Sequence, residues 1–192
     1  MTVARRKAAH AQRGHTQRYG AEVNPHDALV LLAAEHNEID KLAQEFERDR
    51  RHAEPLEKGK LALRMCNALE VCAAIKHDVF YPAAEAVLED QEEKDLLGKA
   101  RVEQDGIHRL IVKIENTAAD DPAFDLAVMV LAEHASRLMK KEEEELFPRL
   151  RHSRLDLLGT GERMAARKTE LSTKPIGRRL IRHARKVMGG LK

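Results

Sequence analysis

Twice in this sequence a side chain able to cap a helix stands directly before a proline, at Asn24-Pro25 and at Asp121-Pro122. Each pair is followed by a long stretch in which apolar residues recur at spacings of three and four. Proline at the first helical position loses no hydrogen bond, and the cap residue satisfies an otherwise orphaned backbone N–H. From Asn24 the stripe Leu29, Leu32, Ala33, His36, Ile39, Ala43 and Phe46 predicts a helix to about Arg50. From Asp121 the stripe Ala127, Leu131, His134, Leu138 and Glu142 predicts another to about Arg151. Between them, Glu54 to Leu88 reads as a helix with Leu61, Met65, Leu69, Cys72, Lys76, Val79 and Ala83 on one face, bent by Pro82. Gln91 to Thr117 reads as the third helix in chain order, with Leu97, Ala100, Gln104, Ile107, His108, Ile111 and Ile114 inward. Short connections between long helices make consecutive helices antiparallel, so the expected fold is all-α, an up-down-up-down four-helix bundle.

Composition agrees. The 192 residues are 43% hydrophobic with no Trp, four Phe and two Tyr, which suits Leu/Ala-rich helices and leaves little material for strands. The expected organisation is a basic N-terminal tail over 1–23, the bundle over 24–153, a shorter fifth helix over 154–173 and a second basic tail over 174–192. The formal charge of +2 conceals this layout. Residues 1–20 carry five basic and no acidic residues and 174–192 carry seven and none, which leaves the body near −10. Basic ends of this kind are solvated tails or contacts for an anionic partner such as nucleic acid or an anionic membrane, and Ile176, Leu180, Ile181 and Val187 give the C-terminal one an apolar side. No secretory signal or transmembrane segment is read, and the expected location is cytoplasmic. Cys66 and Cys72 are six residues apart on one predicted helix, about 9 Å at 1.5 Å per residue, too far for a disulfide.

The two halves also resemble each other. Phe80-Tyr81-Pro82 has its counterpart 66 residues later in Leu146-Phe147-Pro148. The first helix maps onto the third with an offset of 68, pairing Leu29 with Leu97, Ile39 with Ile107 and Glu47 with Glu115.

The segments DALVLLAAEHNEI, VCAAIKHDVFYP, ARVEQDGIHRLI and KKEEEELFP resemble the four signature stretches of the hemerythrin-like (HHE cation-binding) family, and the resemblance covers residues 26–170. It implies a bundle that holds two irons between its helices, through one His from the first helix, an HxxxE pair from the second, one His from the third and a second HxxxE pair from the fourth. It also implies service in oxygen, iron or redox sensing and in metal handling. His36 matches the first of these ligands. Cys72 and Lys76 occupy the first HxxxE, Gln104 stands for the third-helix histidine, and Leu138 with Glu142 occupies the second HxxxE. Only His36 and Glu142 remain, and a family-type di-iron centre is not expected.

Two layers of inward polar residues follow. One contains His36, Lys76, Gln104 and Glu142, where a Lys76–Glu142 ion pair stands in for the metals with His36 and Gln104 completing its hydrogen bonds. The other, one turn away, contains Asp40, Cys72, His108 and His134, the ligand types of a single iron or zinc ion. Cofactor expectations are therefore none or one transition metal. His77 points sideways, and of Glu142 to Glu145 only one carboxylate is expected inward. No phosphate loop, nucleophile elbow or acid/base pair is found, so no enzymatic activity is expected.

Overall fold

In the computed structural model, residues 24–173 are described, and both basic tails lie outside them. Ala28–Asp49 forms α1, Pro55–Ile75 α2, Gln91–Glu115 α4 and Pro122–Lys141 α5. The second and fourth long helices are each interrupted by a π-helical turn, Lys76–Phe80 and Glu142–Leu146, and resume as α3 (Tyr81–Glu85) and α6 (Phe147–His152). Leu157–Thr173 forms α7. No strand occurs among the described residues. α1 packs on α2 and α4 on α5, with α1–α5 and α2–α4 contacts closing the four-helix bundle.

Helix starts follow the cap chemistry with one correction. Asp121 caps α5 by accepting from the Ala123 N–H at 2.8 Å, with Pro122 at the first helical position. α1, however, begins at Ala28 and not at Pro25. Asn24 instead closes a turn, accepting the His26 N–H on its side chain and the Asp27 N–H on its carbonyl. Asp27 is the cap and accepts from the N–H groups of Leu29 and Val30 at 2.9 and 3.3 Å.

The π turns answer the prolines. Pro82 and Pro148 sit at the second position of α3 and α6, where a continuous α-helix would press each ring against the carbonyl four residues back. Widening the turn lets Tyr81 N–H reach the Lys76 carbonyl and Phe147 N–H reach that of Glu142. The additional residue also rotates the buried stripe. Phe80 with Tyr81, and Leu146 with Phe147, are consequently buried side by side, and Phe80 and Phe147 meet edge to face at 6.1 Å. The expected bend at Pro82 thus takes the form of a π turn, and the second half repeats it.

α7 lies against α1, α2 and the first π turn. Its own Thr160 and Met164 are buried on the inner face, while Arg167 reaches Asp78 at 2.8 Å and Lys168 pairs with Glu35. Gly161 permits this approach, since a Cβ there would fall 1.9 Å from the His26 carbonyl oxygen. Gly161→Ala is therefore expected to lift α7 at a cost of about 1–3 kcal/mol, seen as a lower urea midpoint and faster proteolysis near residue 155. Unchanged stability would show that the contact is slack.

Candidate functional site

The centre of the bundle holds charge. Lys76 and Glu142 open the two π turns and are 2% and 1% exposed. Lys76 Nζ donates to both carboxylate oxygens, at 3.1 Å to Oε1 and 2.9 Å to Oε2. Tyr81 Oη donates to Glu142 Oε1 at 2.8 Å. On the other side His36 Nε2 faces Glu142 Oε2 at 3.4 Å, not aligned as a full hydrogen bond. His36 Nδ1 donates to Glu143 Oε1 at 2.8 Å, and the imidazole stacks on Phe147.

Burial opposes the charge on each member, and the partners reverse that opposition. Glu142, desolvated but facing Lys76 and His36, is pulled down to about 2. Lys76 is desolvated too, and the Glu142 carboxylate raises it further above its ordinary range. His36 loses by burial and gains from Cys72, Glu142 and Glu143, so it stands well above an ordinary histidine. Tyr81 is held in its phenol form by burial, against the pull of Lys76. With His36 charged, two cations face the carboxylates of Glu142 and Glu143 and the cluster is close to neutral.

Two members of the cluster were not foreseen in their roles. Tyr81 makes the hydrogen bond expected of Gln104, which is only half-buried. Glu143, expected to face solvent, is brought in by the second π turn and is 24% exposed. The FYP and LFP repeats were the available signal for both, because the prolines that force the π turns also decide which neighbouring residues face inward.

The second expected layer does not assemble. α4 buries Leu97, Ala100, Ile107, Ile111 and Ile114, with half-buried Gln104 completing alternating steps of three and four. The inward step from Gln104 is therefore +3 to Ile107, and His108, one residue or about 100° further round, is 60% exposed near Glu70. On α5 the inward step from Leu138 is −3 to Ala135, which leaves His134 exposed. Asp40 lies one residue off the α1 stripe beside buried Ile39 and is half-buried. Only Cys72 is in the core, where it belongs with His36 and not with the other three. Among the described residues no group of three or more His, Cys, Asp or Glu side chains is arranged to hold a metal ion. His77 is exposed beside Asp78.

The family's irons do not fit the residues present. Both oxygens of the one central carboxylate are engaged by an ammonium, and one of them by a phenol as well. Leu138 offers no ligand at all. A divalent cation at this point would have to displace a charged amine from a desolvated site.

No family model matches the sequence, and no curated protein does. Among solved structures, the chain is similar to the crystal structure of a hemerythrin HHE cation binding domain-containing protein from Mycobacterium kansasii, at 20% identity and a TM-score of 0.64. The match covers 82% of this chain and 98% of that one. The elements of the bundle and this likeness lead to one conclusion: the chain has the hemerythrin-like HHE fold.

Proposed function

We propose that this chain is a metal-independent, non-enzymatic module on the hemerythrin-like fold, in which a buried lysine–glutamate pair takes the place of bound cations. The observation that carries the reading is the Lys76 ammonium seated on both oxygens of Glu142. The solved neighbour's description includes cation binding. In this chain a cation is present at the centre as part of the polypeptide, so the bundle is held together without a metal supply. Function then lies at the surface, and the basic stretch 174–192 supports an anionic partner whose binding weakens steeply as salt rises. Two free thiols, Cys66 and Cys72, support a reducing, cytoplasmic setting.

Elemental analysis tests the reading, on the purified protein and again after incubation with ferrous or zinc ions and gel filtration. The expected result is metal far below one ion per chain in both. Stoichiometric metal that is lost in His36→Ala would overturn it and favour the competing reading of a single transition metal. That competitor draws on one feature, the bond from His36 Nδ1 to a carboxylate with Nε2 turned inward, which is how metal-binding histidines are commonly oriented.

A further inference from the structure

Among the described residues, most of the exposed large apolar side chains stand apart from one another. Leu56 and Leu158 lie at the starts of α2 and α7, and Val102 and Val112 are about 15 Å apart along α4. Leu126 and Met129 are different. They are 63% and 37% exposed, three residues apart on α5, and so share one face. That face is a continuous exposed seam at spacings of four and three: Pro122, Leu126, Met129, Glu133, Ser136 and Lys140. Its N-terminal half is apolar and is widened by Ala123 and half-buried Val130, while its C-terminal half is polar. The two ends carry opposite charge, since Asp120 and Asp121 precede the apolar half and Arg137 and Lys140 follow it. Asp120 and Arg137 are exposed and make no ion pair among the described residues.

We propose that the outer seam of α5 is an interface with a second copy of the chain, the two helices running antiparallel about a two-fold axis. The seam complements itself in that direction. With Leu126 set against Met129 of the second copy, Met129 is set against its Leu126, as a two-fold contact requires. The same register brings Arg137 of each copy opposite Asp120 and Asp121 of the other, with Lys140 adding to the attraction. Glu133, one turn before Arg137, is compensated within its own helix. A parallel alignment would set acid against acid and base against base, and would align the two helix dipoles. A foreign helix would have to supply both an apolar half and the reversed charges, whereas a second copy already has them. One helix from each copy makes a small interface, so the dissociation constant is expected on the order of 10 µM. The seam faces away from the central cluster, and the inference does not rest on the metal-independent reading.

Analytical ultracentrifugation of the full chain tests this, from about 1 to about 300 µM, with the average mass expected to rise from one chain toward two. Leu126→Glu adds a charge to the apolar half at a solvent-exposed position. Circular dichroism and the urea midpoint should therefore be unchanged, while the dissociation constant rises at least about tenfold. Val102→Glu, at a residue that is more exposed at 68% but lies outside the seam, is the control and should leave association unaltered. Arg137→Asp should also weaken the dimer. Adding Asp120→Arg to that chain should recover part of the loss, because the exchanged charges meet again across the two-fold axis. A monomer throughout the range would leave the seam to solvent or to another partner and would overturn the proposal. So would a dimer indifferent to Leu126→Glu, one weakened equally by Val102→Glu, or no recovery in the double variant.

Discussion

Lys76→Met alone is expected to destabilise the bundle by about 3–5 kcal/mol, and Glu142→Gln alone by a similar amount, whereas the double variant loses much less than their sum. Removing one partner strands the other charge in a fully buried position. Without Lys76, the Glu142 carboxylate keeps only Tyr81 and His36 and must take up a proton or remain desolvated. In Glu142→Gln the ammonium loses its counter-charge and one of its two acceptors, an amide NH2 takes the place of the other oxygen, and the Tyr81 ring lies 5.9 Å away. Removing both leaves a methionine in apolar surroundings and a neutral amide that still accepts from Tyr81. Urea denaturation of the four proteins at neutral pH measures the coupling. Small, additive losses would show that the pair contributes little and that the lysine escapes to water.

The second large effect is on pH dependence, and its two limbs have opposite origins. The folded carboxyl of Glu142 is depressed to about 2 from an ordinary 4.5, so its contribution is complete above about 4.5 and is lost as pH falls through 2. For a shift of this size the contribution is on the order of 3 kcal/mol. His36 is raised above an ordinary 6.5, so what it contributes is complete below 6.5 and disappears as pH rises through its folded value. Lys76, also raised, retains its contribution throughout neutral pH and loses it only in alkali. Stability is therefore expected to be greatest between about pH 4.5 and 6.5 and to decline on both sides. Denaturation midpoints from about pH 2 to about pH 9, which span both limbs, provide the measurement. His36→Gln should flatten the decline just above neutrality and leave the acid limb in place, and a wild-type profile without an acid limb would contradict the assignment to Glu142.

Much of this arrangement was legible in the residues. Stripes of apolar side chains on four segments specify the bundle, because helical periodicity is local and long segments repeat it many times. The Lys76–Glu142 pair was legible for the same reason, as two charged residues inside otherwise apolar stripes. Errors arose where one residue decides the direction of a side chain. His108 and His134 were placed inward by steps of four from Gln104 and Leu138, while the stripe moves by three at both points. Composition cannot make that choice, which depends on how α4 and α5 settle against each other. Glu143 and Tyr81 were missed because an ideal α-helix was carried past Pro82 and Pro148, whereas the π turns rotate everything after Lys76 and Glu142. Asn24 was a sound cap in the wrong place, since Asp27 makes the same bonds nearer the first buried turn.

The matching π turns carry a consequence for how the halves recognise each other. One presents an ammonium and the other a carboxylate, at positions 66 residues apart in a sequence that reads as a duplication. Two copies of the first half, docked in the same manner, would set lysine against lysine in a dry interior. Two copies of the second would set glutamate against glutamate. Only the mixed pairing is neutral, so the two halves are complementary at these positions, and each is unsuited to pairing with itself.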